Sequence, residues 1–302
     1  MRMTGNNIDI QKPTGLVLEG GGMRCIFTVG VLDYLMDNGI WFPYTIGVSG
    51  GASNGISYAS RQRGRSYYSN IELLEIHNYI GIKNFLKGHG YIDLDFLFYE
   101  YPDRYFPFDF KTYQASPDRF VVVASDCRTG KPVYFEEKQD FKRLLDACKA
   151  SCTLPVMCPV SYVDGKPMVD GGVSDAIPVH RAIDEGYKQN VIVLTRNKGY
   201  RKADKNFYLP PFIYRQYPAI REQLKLRYKH YNQILDDIEQ MEAEGKALVI
   251  RPIKPIQVGR TERNISKLKK LYQEGYDCAR QVGELPVSYT HLRAHETLRY
   301  LV

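Results

Sequence analysis

Five short apolar runs punctuate the chain, at 15–18, 45–48, 120–124, 190–194 and 247–250. Each is too short for a helix. The run Phe120-Val121-Val122-Val123-Ala124 is continuous and β-branched, as in a strand covered on both faces. Between the runs the apolar period changes. Ile26, Phe27, Val29, Val31, Leu32, Leu35 and Met36 recur at helical spacing, and Gly39 follows as a C-cap. Phe141, Leu144, Leu145 and Cys148 repeat that spacing, and helices are expected over 179–186, 231–241 and 265–282. Two hairpins interrupt the alternation. Residues 131–135 return along 120–124 after a turn at Thr129-Gly130, and Asp164-Gly165 joins 160–163 to 166–169. Strands alternating with helices predict an α/β fold, a three-layer α/β/α sandwich around a mostly parallel sheet.

Two stretches lack a clean period. Residues 61–110 are aromatic and uneven. They are read as short helices and loops packed on the sheet, with a cover over a site as the other reading. Residues 198–230 carry nine Lys or Arg against two acids, interleaved with aromatics such as Phe207, Phe212, Tyr214 and Tyr217. That composition suits peripheral contact with an anionic membrane or a solvated helix face. No nucleic-acid-binding motif accompanies it, so no nucleic-acid partner is expected.

Composition narrows the class. The chain has 302 residues, 44% hydrophobic and 25% charged, with a net charge of +7, which suits one large domain or at most two. There is no apolar run of membrane-spanning length. Residues 1–12 are polar and carry no secretory signal, so a cytoplasmic location is expected. The six cysteines show no C-x-x-C pair and no metal spacing, as for reduced thiols.

Three stretches carry candidate chemistry. In Gly47-Val48-Ser49-Gly50-Gly51 an apolar run ends in G-x-S-x-G and small residues follow, the pattern of a strand that turns sharply into a helix with an exposed serine at the corner. Gly47 and Gly51 are needed because side chains there would collide across the turn. The second stretch is Gly20-Gly21-Gly22-Met23-Arg24-Cys25, between a strand and a helix. Bare N–H groups here could face a phosphate or the oxyanion of acyl transfer. The phosphate-loop and dinucleotide patterns are both absent, which favours the oxyanion. The third stretch is Asp170-Gly171-Gly172. Asp-Gly pairs are usually plain turns, but Asp170 stands at the far end of a returning strand.

Together these stretches resemble the patatin-like phospholipase family, with its G-G-G-x-R-G segment, its G-x-S-x-G elbow and a later D-G-G or D-G-A. The resemblance covers residues 15–194 and includes 150–155, similar to the family's A-S-x-x-x-P segment. It implies a patatin-like fold and a serine acyl hydrolase acting on esters of phospholipids, lysophospholipids or other lipids. Ser49 would be the nucleophile and Asp170 its base. Gly20, Gly21, Gly22 and Arg24 would form the oxyanion hole, and no metal or organic cofactor is implied. Cys25 stands where the family has Gly; a positive φ there would undo the oxyanion loop. Alternatives are a Ser–His–Asp esterase using His180 or His230, a non-catalytic lipid-binding protein, and a nucleotide-binding module. A single hydrolase domain is expected over 1–286, its core motifs in 15–194 and a basic, aromatic helical region in 198–286. Residues 287–302 resemble translated adapter DNA and are expected to be a non-native tail.

Overall fold

The computed structural model describes residues 13–203 and 209–283; the expectations for 1–12 and 287–302 lie outside the described residues. Eight strands form one sheet: β1 (Thr14–Leu18), β2 (Tyr44–Val48), β3 (Arg119–Asp126), β4 (Pro132–Glu136), β5 (Ser161–Val163), β6 (Lys166–Asp170), β7 (Gln189–Val193) and β8 (Ala247–Ile250). Strands β3, β2, β1, β7 and β8 run parallel in that order, while β4 and β6 pair antiparallel with β3. Both expected hairpins form. In the second, Asp164 and Gly165 take φ of 51° and 71°, the twist that suits a two-residue loop between strands.

The main helices are α1 (Ile26–Asp37), α2 (Gly50–Ala59), α3 (Phe141–Ser151), α4 (Val179–Asp184), α5 (Pro218–Ala243) and α6 (Ile265–Gly283). The two faces of the sheet divide by the period of two. Leu16 and Leu18 of β1 pack in the cluster that includes α1 and α6, and Val17 packs with α4 and α5. Alternate residues of β3, Phe120, Val122 and Ala124, pack with α2 and α3. The result is a three-layer sandwich, as the sequence predicts. No helix among the described residues is long and apolar enough to cross a membrane.

Helix α5 departs from expectation. It is continuous from Pro218, whereas the sequence suggested a helix only over 231–241. Proline suits the first helical position, where its missing N–H costs nothing. Ile220, Leu224, Tyr231, Leu235 and Ile238 form the buried face, a thin stripe that charged neighbours obscure in the sequence. Residues 61–110 form short helical turns, and their apolar side chains join two clusters. Ile71, Leu73 and Tyr101 pack in the cluster of α1 and α6, and Leu94 and Phe98 in that of α2 and α3.

Candidate active site

Ser49 occupies the single residue between β2 and α2, at φ 53° and ψ −126°, a conformation that L-residues rarely adopt. The neighbouring glycines permit it. A Cβ on Gly47 would stand 2.8 Å from the Ala52 nitrogen, and one on Gly51 2.6 Å from the carbonyl oxygens of both Leu18 and Glu19. The corner is also tied from α3. The Ser49 N–H donates to Ser151 Oγ at 2.8 Å, and that hydroxyl donates to the Val123 carbonyl at 2.5 Å.

The sheet register brings Asp170 to this corner. Strand β2 occupies the edge of β3 opposite β4 and ends at the pair Val48–Val123. Strand β6 takes over that same edge at the next residue, with Ala124 opposite Asp170. The residue after Val48 therefore meets the last residue of β6. Ser49 Oγ donates to Asp170 Oδ2 at 2.6 Å, with both side chains buried. Asp170 is clamped on every other side. Its Oδ1 accepts the Gly172 N–H at 2.7 Å, its N–H donates to the Thr153 carbonyl at 2.8 Å, and its carbonyl accepts Ser125 Oγ at 2.9 Å. Gly171 has no room for a side chain, because a Cβ would lie 2.1 Å from the Val123 oxygen.

The glycine loop faces the same point. Gly20 donates to the Ala176 carbonyl at 3.4 Å, while the N–H groups of Gly21 and Gly22 have no acceptor among the described residues. Gly50 opens α2, so its N–H also lacks an intrahelical acceptor. Beneath the loop lies buried Glu19. It accepts the Thr195 N–H at 2.5 Å and the Tyr231 hydroxyl at 2.6 Å. Arg24 stands beside the loop, but its Nε donates to the Val258 carbonyl at 3.1 Å. Burial, followed by repulsion from Arg196 and Arg260, pushes the Arg24 pKa down to about 10. Cys25 sits at φ −68° and ψ 0°, so it needs no left-handed backbone. Burial raises its thiol pKa well above the ordinary range.

Two cavities meet at Ser49. One is mainly apolar, about 70 Å³, walled by Tyr79, Ile80, Ile92, Leu94, Leu97 and Phe98. The other, about 30 Å³, is lined by Asp170 and several cationic side chains. Gly22, Ser49, Leu154 and Arg260 border both. The segment 61–110 is thus both packed on the helices and a wall of the site. Among the described residues, no histidine bonds to Ser49 or lines either cavity. His180 bonds Asp237 at 2.9 Å on the surface, and His230 is exposed.

Sequence reasoning missed two parts of this arrangement. Ser151 lies within the family-like segment 150–155, but its role as a brace depends on the register of β3. The cations Arg196, Lys202, Arg227 and Arg260 come from separate loops and α5, with no local pattern to mark them.

A family model described as patatin-like phospholipase matches residues 16–183, and a domain of unknown function matches residues 217–284. The chain is 29% identical over 298 residues to the uncharacterized protein YjjU of Escherichia coli K12, covering 93% of this chain and 81% of YjjU. Among solved structures it is similar to VipD from Legionella pneumophila, with a TM-score of 0.45 and 12% identity, covering 90% of this chain and 66% of that one. Since the first match spans more than half of the 302 residues and contains both Ser49 and Asp170, the chain belongs to the patatin-like phospholipase family.

Proposed function

We propose that this protein hydrolyses carboxylic esters of lipids, with Ser49 as nucleophile and Asp170 as its base. A serine hydroxyl is a poor nucleophile at neutral pH and needs a base within hydrogen-bond reach. Asp170 Oδ2 meets that requirement at 2.6 Å. Ser49 Oγ forms a bond to the ester carbon as its proton passes to Asp170. The carbonyl oxygen becomes an oxyanion, facing the free N–H groups of Gly21, Gly22 and Gly50. Collapse of this adduct breaks the carbon–oxygen bond to the alcohol, which leaves with the proton from Asp170. Water then attacks the acyl-enzyme and gives a proton to Asp170. The second adduct expels Ser49, which regains that proton as the fatty acid departs.

The observation that carries this reading is the position of the hydrogen-bonded pair at the junction of an apolar cavity and a charged one. An amphiphile with its ester at Ser49 would put its tail in the first and its headgroup in the second. Both cavities draw residues from 15–194 and from the later segment, which supports one hydrolase unit over 1–286. Peripheral membrane contact through 198–230 belongs to the same reading, and the exposed Phe212 suits it. The test is turnover of a panel of acyl esters by the wild type and Ser49→Ala, with fluorophosphonate labelling beside it. Hydrolysis and labelling should both vanish in the variant. Hydrolysis that survives Ser49→Ala would exclude the mechanism.

A further inference from the structure

Five cationic side chains, Arg24, Arg196, Lys202, Arg227 and Arg260, line the polar cavity at Ser49. Among the described residues, none of them has a carboxylate partner within ion-pair distance. The cavity's acids are already engaged. Glu19 accepts from Thr195 and Tyr231, and Asp170 accepts from Ser49 and Gly172. Elsewhere the chain does pair its arginines: Arg201 with Asp236 and Glu239, Arg119 with Glu136 and Glu185, Arg143 with Glu137 and Asp164.

The cluster is built into the fold. Lys202 is fixed to α5 by reciprocal bonds with Asn232, at 2.7 and 3.0 Å, and its ammonium lies 4.0 Å from the centre of the Tyr231 ring. The Arg260 carbonyl accepts the Met23 N–H of the glycine loop at 3.0 Å. Arg227 Nε is buried with no acceptor among the described residues. Burial and mutual repulsion lower the pKa of Lys202 to about 7 and that of Arg227 to about 10. Charges withdrawn from water are normally paired, so a pocket that holds several without a carboxylate among the described residues is organised for an anion that arrives with the ligand.

We infer that this cavity is a subsite for a phosphomonoester, and that the ester presented to Ser49 is an acylated glycerol phosphate of the lysophosphatidate type. This rests on the hydrolase reading above. A terminal phosphate offers three oxygens for several guanidinium and ammonium donors to share. A choline or ethanolamine headgroup would bring a cation against five others. Because Ser49 borders the polar cavity directly, the phosphate must lie within a few bonds of the ester, as it does on a glycerol backbone.

The experiment gives the wild type three esters of one acyl chain in the same mixed micelles: the lysophosphatidate, the choline lysophospholipid and the monoacylglycerol. The expected kcat/KM for the lysophosphatidate exceeds the other two by roughly tenfold or more. Inorganic phosphate should compete with it. Lys202→Met and Arg227→Met should each bring the ratio of lysophosphatidate to monoacylglycerol turnover toward one. Should Arg227→Met fail to fold, Lys202→Met and the wild-type ratio decide. Turnover without preference, or in favour of choline, overturns the subsite and leaves the serine hydrolase standing. Turnover of none of the three, with Ser49 unlabelled by fluorophosphonate, removes the hydrolase reading and the subsite with it. If inorganic phosphate changes monoacylglycerol turnover while the lipids are not distinguished, the cavity serves a free anion and the headgroup assignment fails.

Discussion

The groups around Ser49 are held by two different means. On one side, residues 15–194 place their groups through the main chain: a serine at positive φ, glycines whose Cβ would strike a carbonyl, and two strands abutting on one edge of β3. On the other side, residues 196–260 reach in with long side chains from two loops and α5. The first arrangement tolerates almost no displacement, as bond-making requires. The second works at a distance through charge and needs only approximate placement. The contrast predicts that damage to the first side abolishes turnover or the fold, while damage to the second changes which ester is chosen.

The sharpest test of the first side is removal of the reacting pair. Ser49→Ala and Asp170→Asn should each lower kcat by about 10⁴-fold, the scale seen when one member of a nucleophile–base unit is lost. Melting temperatures should stay close to wild type, since either replacement fits the same space. His180→Ala should leave kcat within about twofold, because that imidazole sits on the surface with Asp237. A large loss in His180→Ala would mean that the acting base is not Asp170.

Next come two changes that act on backbone placement. Gly171→Ala forces a methyl group against the Val123 oxygen and should cost about 3 kcal/mol of stability, measured by denaturant unfolding. Wild-type stability in this variant would mean that β6 can slide, and the ladder argument would fail. Ser151→Ala is milder. It strands the Ser49 N–H and the Val123 carbonyl inside the protein and should cost about 1–2 kcal/mol. A purely structural serine would affect stability alone. A brace for the nucleophile should also lower kcat severalfold with KM unchanged.

The same contrast explains what could be read from sequence. A collision at Gly47 or Gly51 is a local event, so the elbow left a local pattern, and the short strands between helical periods gave the sandwich. Asp170 stood out from other Asp-Gly pairs because it ends a strand. The cations left no such trace. Arg196, Lys202, Arg227 and Arg260 are ordinary basic residues in sequence, and only the packing of α5 and the loops after β7 and β8 brings them together. The basic character of 198–230 was visible and suggested a membrane surface. Within that stretch the structure turns Lys202 and Arg227 inward, toward Ser49. The start of α5 was hidden for a related reason, since one buried position per turn or two does not stand out among charged neighbours.

The smallest expected effect is the most specific to the second side. Burial, with repulsion from Arg227, Arg260 and Arg24, lowers the Lys202 pKa to about 7, and Glu19 opposes the shift. The side chain is therefore charged below pH 7 and neutral above it. The wild-type preference for a phosphomonoester should weaken severalfold between about pH 6 and pH 8, by loss of one of several charges. The substrate also titrates in this range and gains charge as pH rises, which works in the opposite direction. The profile of Lys202→Met separates the two, because it retains only the substrate's titration and that of the remaining groups. The difference between the profiles should follow a group titrating near 7. Stability supplies an independent sign. A lysine whose pKa is lowered by folding destabilises the protein most where it is charged in both states, below pH 7. That cost fades as pH rises from the folded value toward the ordinary lysine range. Lys202→Met should therefore raise the melting temperature at pH 6, with a smaller gain at pH 9. A lysine that merely packs the core would show the reverse: a loss of stability on replacement, and no change in which ester is preferred.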